Sequence, residues 1–245
     1  MNVGIDIGNT RIKVGVFEQN KLWQYFEFDE FWQLHEWLKA QSHIRHLIVA
    51  SVGRYRLEDL PTAHIPGVKM QLSHESELPI RITYHTPHTL GVDRVAAAVG
   101  GHTLFPEHPV LVIDIGTCIT YDLVTEAGEF PGGIISPGVR LRLQAMHAFT
   151  ARLPHLEWSI EEELPPLVGR STTEAMKAGA VHAVVGEITF FVESFKKDYP
   201  NLQVILCGGD ALFFKKQLKF HNFAEPKLVL LGLNRILNYN AKKYT

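Results

Sequence analysis

The first 28 residues read as three strand-like runs, of which the second and third alternate apolar with polar positions. Residues 3–8 (VGIDIG) are apolar around a single acid. In 11–18 (RIKVGVFE), Ile12, Val14 and Val16 fall on one face, with Arg11, Lys13 and Gly15 on the other. Residues 21–28 (KLWQYFEF) alternate again after a Gln19-Asn20 turn, and Asn9-Thr10 turns the chain between the first two runs. Period-two runs broken by short polar turns predict a three-stranded antiparallel meander. Phe31, Leu34, Trp37 and Leu38 then recur at helical spacing, predicting a helix over 29–41 capped by Asp29. A buried strand over 46–53 (HLIVASVG) follows, then a helical turn at LEDL, a short strand near 68–72 and an Ala/Val-rich helix over 93–104.

The pattern then restarts. Residues 111–126 (LVIDIGTCITYDLVTE) align with 3–18 (VGIDIGNTRIKVGVFE) at a constant offset of 108, and Ile5/Ile113, Asp6/Asp114, Ile7/Ile115, Gly8/Gly116, Val16/Val124 and Glu18/Glu126 are identical. Further on, 204–210 (VILCGGD) echoes 47–53 (LIVASVG) as an apolar strand running into glycine. A period this long predicts two copies of one α/β module rather than a solenoid. The expected division is 1–108 and 109–245, with a cleft between the two. Helices are expected near 138–149, after a turn formed by PGGIISPG, and over 172–199, capped by Ser171 or Thr172 with Glu174 in its first turn. Residues 156–170 read as a surface connection.

Composition narrows the class. At 245 residues the chain can bury a core without staples. With 46% hydrophobic and 20% charged residues it does not read as disordered. A net charge of −2 gives no support for nucleic-acid binding through bulk charge. Two cysteines, Cys118 and Cys207, exclude a disulfide framework or a Cys-rich zinc site. Neither a leader sequence nor a charge-free membrane span is evident, so a cytoplasmic protein is expected.

The chemistry concentrates in a few short segments. Asp6-Ile7-Gly8-Asn9-Thr10 ends a strand with a carboxylate, a glycine that lets a phosphate approach the backbone, and two small polar donors. Asp6 is suited to a hydrated Mg²⁺, and Arg11 and Lys13 add positive charge. The same residues also suit a plain β-hairpin turn. The second Asp-Ile-Gly-Thr at 114–117 favours function, since two such modules can clamp ATP. At Gly91-Val92-Asp93-Arg94, Asp93 reads either as a helix-initiating residue or as a general base, with Arg94 gripping an anion. Gly208-Gly209-Asp210 is either a tight turn or bare backbone for adenine. His43/His46 and His85/His88 have H-x-x-H spacing with nothing to complete a metal site. P-loop, nucleophile-elbow and dinucleotide-fold signatures are absent.

DIGNTRIK (6–13), GVDR (91–94), DIGTCITYD (114–122), GGIISPG (132–138) and GRSTTEAMKAG (169–179) together resemble the type III pantothenate kinases, in order and spacing, from residue 3 to about 235. That resemblance implies an α/β fold of two duplicated ribonuclease H-like domains, mixed sheets flanked by helices, in the acetate kinase/actin/hexokinase-like superfamily. It implies ATP-dependent phosphorylation of pantothenate to 4'-phosphopantothenate, the first step of coenzyme A biosynthesis. Asp6, Ile7, Gly8, Asn9, Thr10, Arg11, Ile12 and Lys13 would line the ATP phosphates, with Asp6 near Mg²⁺ and Thr117 a further ATP contact. Asp93 would be the proton acceptor. Gly91, Val92, Asp93, Arg94, Tyr84 and Thr172 would bind pantothenate, and Asp114 would hold a monovalent cation, K⁺ or NH₄⁺. The resemblance further implies a homodimer with the substrate pocket at its interface, Thr172 being reached from the partner subunit. Val92 and Cys118 stand where alanine is common in the family, and neither change removes a functional group. The alternatives on the same fold are a nucleotide-binding regulatory protein resembling transcription accessory factors, a kinase for another small hydroxy acceptor, and an actin-like filament ATPase, for which 245 residues is short.

Overall fold

The computed structural model describes residues 1–242. The chain begins with β1 (Asn2–Ile7), β2 (Ile12–Glu18) and β3 (Lys21–Phe28), followed by α1 (Phe31–Lys39) and β4 (His46–Ser51). A 3₁₀ turn (Leu57–Asp59) leads to β5 (Lys69–Gln71), β6 (Arg81–Ile82) and α2 (Val92–Leu104). Next come β7 (Val110–Ile115), β8 (Cys118–Val124), β9 (Glu129–Phe130) and β10 (Gly132–Pro137). The chain then runs through α3 (Val139–Ala148), α4 (Thr172–Asp198), β11 (Gln203–Cys207), α5 (Ala211–Lys215), β12 (Phe223–Ala224) and α6 (Leu228–Ala241).

Two compact units emerge. The first holds residues 1–107, 124–132 and the chain from Lys227 onward; the second holds 108–123 and 133–226. The first crossing from one unit to the other lies between Glu107 and His108. The units are otherwise interleaved, since the β9 segment and α6 group with the first.

In the first unit the sheet order is β3-β2-β1-β4-β5. The meander is antiparallel as expected, and β4 and β5 join it in parallel. In the second unit the order is β10-β8-β7-β11-β12, the same path over again. The register repeats too. Val3 lies opposite Leu47 and Leu111 lies opposite Val204, so the offsets of 108 and 157 seen in the sequence place equivalent residues side by side. PGGIISPG, expected as a turn, contains β10, the counterpart of β3; pairing with β8 draws its glycine-rich backbone into the sheet.

Each face of the first sheet carries its own core. Val3, Ile5, Ile7, Val14, Val16 and Val49 pack with Leu34 and Leu38 of α1. Phe17, Ile48 and Ala50 on the other face pack with α2 and α6. Helix α6 was not evident from the sequence. It lies so close to α2 that a Cβ on Gly232 would run into the Ala96 carbonyl, and one on Gly100 would come 2.6 Å from the Leu228 carbonyl. Buried Asn2 and Asn234 fix α6 in place. Asn2 donates to Asn234 at 3.0 Å, and Asn234 donates to the Gln19 carbonyl at 2.9 Å. That satisfies polar groups which burial would otherwise leave costly.

Two local expectations are corrected. The cap of α1 is Glu30, not Asp29: the Gln33 side chain accepts from both backbone N–H groups, and the Asp29 carboxylate instead lies 3.7 Å from Arg11. Residues 156–170 contribute a buried Trp158, which packs edge-on against Phe213. Helix α4 is long and apolar enough to cross a membrane by length and composition alone. Its Met176, Ala180, Val181, Val184, Ile188 and Val192 instead fill the core of the second unit.

A side chain at the α2–α6 crossing forces two backbones apart. Gly232→Val is expected to cost about 2 kcal/mol or more, the range for overpacking. That corresponds to a fall of roughly 4–8 °C in melting temperature for a chain of this size. Thermal unfolding by circular dichroism checks it, and an unchanged midpoint would refute the close approach.

Candidate active site

In the first unit the chemistry gathers where β1 and β4 end. Asp6 is buried near the end of β1 and pairs in register with Lys13 on β2, which pairs in turn with Glu27 on β3. Register partners share a face, so acid, base and acid form a row across three strands. Gly8 begins the turn, its N–H donating to the Arg11 carbonyl at 3.1 Å, and Asn9 and Thr10 stand exposed at the tip. Ile7 and Ile12 flank the turn and are buried, anchoring it on the α1 side. Arg11 is exposed and donates to Glu27 at 2.7 Å. The Tyr25 hydroxyl also donates to Glu27. Burial and the Glu27 carboxylate push the Tyr25 phenol up, while the bonds from Tyr25 and Arg11 hold Glu27 below the usual carboxylate range.

A pocket of about 250 Å³ opens on this turn, with Gly53, Arg54 and Tyr55 from beyond β4 forming its other wall. Tyr55 stacks on Phe31 with ring centroids 3.8 Å apart, and Arg54 donates to the Tyr55 hydroxyl at 2.6 Å. Arg54, Tyr55 and Phe31 escaped the sequence reading. The available signal was a basic residue directly after the glycine that ends an apolar strand.

The segment 91–94 begins α2. Gly91 is the N-cap, Val92 and Asp93 are half-buried in the first turn, and Arg94 is buried. The Asp93 carboxylate folds back toward the chain, accepting from the Arg94 N–H at 2.9 Å. A Cβ at position 91 would lie 2.5 Å from Asp93 Oδ1, so glycine is what lets the carboxylate adopt this position. Tyr84 follows β6, which pairs with β9. Gly132, at φ 139°, lies against the Tyr84 ring; a Cβ there would touch its Cδ2 and Cε2 at 3.0 Å. Tyr84 and Val92 pack against the same apolar cluster.

In the second unit, Asp114 occupies the place on β7 that Asp6 has on β1 and pairs with Cys207. Gly208, at φ 89°, sits against it: a Cβ there would collide with the Asp114 carboxylate and with the backbone of Ile115. The Gly138 N–H donates to the Thr117 carbonyl at 2.9 Å, and Thr117 itself is exposed on the turn. Asp210 is almost fully buried. Trp158 donates to it at 3.3 Å, and Arg140 lies 3.4 Å away. Burial raises the Asp210 carboxyl above its ordinary value, with Arg140 and Trp158 acting in the opposite direction. Thr172 is exposed at the first position of α4, and the adjacent Ser171 is the cap, accepting from the Glu174 N–H at 3.2 Å.

Comparison with known proteins settles the family. The family profile for type III pantothenate kinase matches residues 2–194. A type III pantothenate kinase of Phocaeicola vulgatus is 41% identical over 249 residues, covering 99% of this chain and all of that one. The chain belongs to the type III pantothenate kinase family. Among solved structures, a Campylobacter jejuni protein described as a Baf family transcriptional activator superposes with a TM-score of 0.63 at 20% identity, covering 98% of this chain and 99% of that one. The ROK hexokinase of Thermus thermophilus gives 0.51 at 16%, covering 98% and 99%. At such identities these likenesses show the fold alone, the actin-like fold of sugar kinases.

For a pantothenate kinase of this family, the two repeated turns differ in character. The first is lined with side-chain cations, whereas the second is built from close-packed backbone around one acid.

Because the native state favours the protonated form of Asp210, it binds more protons than the unfolded chain between the two pKa values, and stability falls as pH rises through that window. Asp210→Asn is therefore expected to raise the melting temperature at pH 7, with the gain disappearing as pH falls below about 3.8, the ordinary carboxyl value. Paired thermal melts across this range check it. A gain that does not vary with pH would assign the effect to packing.

Proposed function

We propose that this kinase transfers the γ-phosphoryl group of ATP to the primary hydroxyl of pantothenate, giving 4'-phosphopantothenate, in the cytoplasm. The observation that carries this reading is the start of α2. A carboxylate folded back over a glycine and preceding a buried arginine is a compact arrangement for a hydroxy acid. Asp93 takes the proton of the attacking hydroxyl as the new P–O bond forms and the bond to ADP breaks. Arg94, Gly91, Val92 and Tyr84 hold the acceptor, the arginine through its carboxylate.

Residues 6–13 line the phosphates. The turn at Gly8 admits phosphate oxygens to the backbone, and Asn9, Thr10, Arg11 and Lys13 supply donors and charge. Mg²⁺ fits this setting. Among the described residues no three His, Cys, Asp or Glu side chains cluster as a metal site, and Mg²⁺ needs only one or two carboxylates beside water and phosphate oxygens. Asp6 is the carboxylate for it, and the ion would neutralise charge on the phosphates. Thr117 is a further ATP contact. Asp114 would hold a monovalent cation, K⁺ or NH₄⁺, at its carboxylate, against which Gly208 places no Cβ.

A homodimer completes the substrate pocket, with Thr172 of one copy reaching pantothenate in the other. Its exposed position at the start of α4 suits such reach. Exposed Phe149, Leu167, Val168 and Phe190 in the same unit offer apolar surface for a second copy.

ADP release with Mg·ATP is expected to depend on pantothenate and to run faster in KCl than in NaCl. Turnover without pantothenate dependence would point to another acceptor, and equal rates in both salts would remove the cation from Asp114. Asp93→Asn is expected to lower kcat by roughly 10²-fold, the scale of a general base. Gly91→Ala should lower kcat in the same direction by displacing the carboxylate, with little change in the KM for ATP. Activity within a few-fold of wild type in folded Asp93→Asn would return that residue to a helix-starting role.

A further inference from the structure

A second cavity bordered by the first unit lies away from all of these residues. It measures about 660 Å³ and is walled by Arg45, His46, Gly67, Lys69, Met70 and Asn240, among others. His46 and Lys69 are the first residues of β4 and β5, so the cavity opens at the N-terminal ends of these parallel strands. The phosphate turn lies at the other end, about 17 Å along β4 at 3.3 Å per residue.

Its walls are cationic. Arg45 and Lys69 have no carboxylate partner among the described residues, and the Lys69 ammonium reaches only the Thr62 carbonyl at 3.4 Å. His46 Nδ1 accepts from the Val68 N–H at 2.9 Å, which leaves the proton on Nε2 as a donor. Burial, Arg45 and the α-ammonium of Met1 hold the His46 imidazole below its ordinary value, as a cation-rich setting requires. Gly67 shapes the wall: a Cβ there would come 2.6 Å from His46 Nδ1 and would run into the Arg45 carbonyl. Pro66, Val68, Met70 and Ala241 add apolar surface beside the charges.

We propose that this cavity binds a small organic phosphate, its phosphate held by Arg45, Lys69 and His46 Nε2 and its apolar body laid on Val68 and Met70. A guanidinium fork, an ammonium and an imidazole N–H are complementary to a multiply charged group with several oxygens. The volume exceeds what phosphate alone would fill and lies within the range of small-molecule sites.

Phenyl phosphate titrated into ¹⁵N-labelled full-length protein tests the site. Saturable shifts are expected at the Gly67, Val68 and Lys69 amides, with Kd of about 1 mM or tighter, the affinity expected of a few charged contacts. In the double variant Arg45→Ala, Lys69→Ala these shifts should weaken at least about tenfold, equivalent to 1.4 kcal/mol. ATP turnover without added ligand should be unchanged, since neither residue belongs to the phosphate turn or to α2. Absent or non-saturating shifts at these amides would overturn the proposal, as would shifts that survive in the variant. The Gly8–Thr10 amides report separately on the phosphate turn, so failure at one site leaves the other standing.

Discussion

The parallel pairing of β1 with β4, and of β7 with β11, is the constraint on which the rest of the structure depends. Two parallel strands end at the same edge, and their loops open there side by side. The Gly8–Arg11 turn and the Gly53–Tyr55 segment form one pocket because Asp6 and Ala50 are paired neighbours. In the second unit, the Asp114 turn meets Gly208 for the same reason. A slip of one residue in either pairing would turn the acid to the opposite face and separate it from the partners in its row. The apolar fill on each face of the first sheet, α1 on one and α2 with α6 on the other, resists that slip.

The strand pairing was legible because it is written in period two. Ile12, Val14 and Val16 against Arg11, Lys13 and Gly15 admit one orientation, and the offset of 108 carried that orientation into the second unit. Helix α6 was not legible. Its LVLLGLNRILNYN is apolar on several sides, and the reason it sits where it does lies in Gly100, Gly232 and Asn2, all remote in sequence. Trp158 escaped for a similar cause: a residue in a polar, irregular segment is buried only because Phe213 and Asp210 wait for it. The turn at Asp6 and the helix start at Asp93 could be placed from residue type and spacing, whereas the roles proposed for them came from the family resemblance. Glu27 and Tyr55 could not, since their contacts arise from register and stacking across elements, and Arg54 offered only its place directly after the strand-ending glycine.

The two copies of the module have taken different courses on one scaffold. Asp6 and Asp114 occupy equivalent places, but the positions of Arg11 and Lys13 are taken in the second copy by Ile119 and Tyr121. Both of these are buried, and Tyr121 donates to Glu187 on α4. Lost side-chain cations leave the second turn with backbone and one acid, and the left-handed glycine at 208 makes that acid accessible to close-packed backbone. The first turn thus carries side-chain cations at two strand positions where the second carries buried apolar and aromatic side chains.

The first turn is further tuned by how loosely its arginine is held. Arg11 is bonded to Glu27 and lies near Asp29, with its side chain more than half exposed. An exposed pair of this kind is worth about 0–1 kcal/mol, so a phosphate that offers more charge can draw Arg11 away at small cost. Glu27 is not stranded by the exchange, because Tyr25 continues to donate to it and Lys13 shares its row. Lys13 is less exposed and flanked by Asp6 and Glu27, which favours a fixed charge at the base of the turn. Under the proposed phosphate-binding role, Lys13 would set a standing field and Arg11 would exchange its exposed bond to Glu27 for one to an incoming anion.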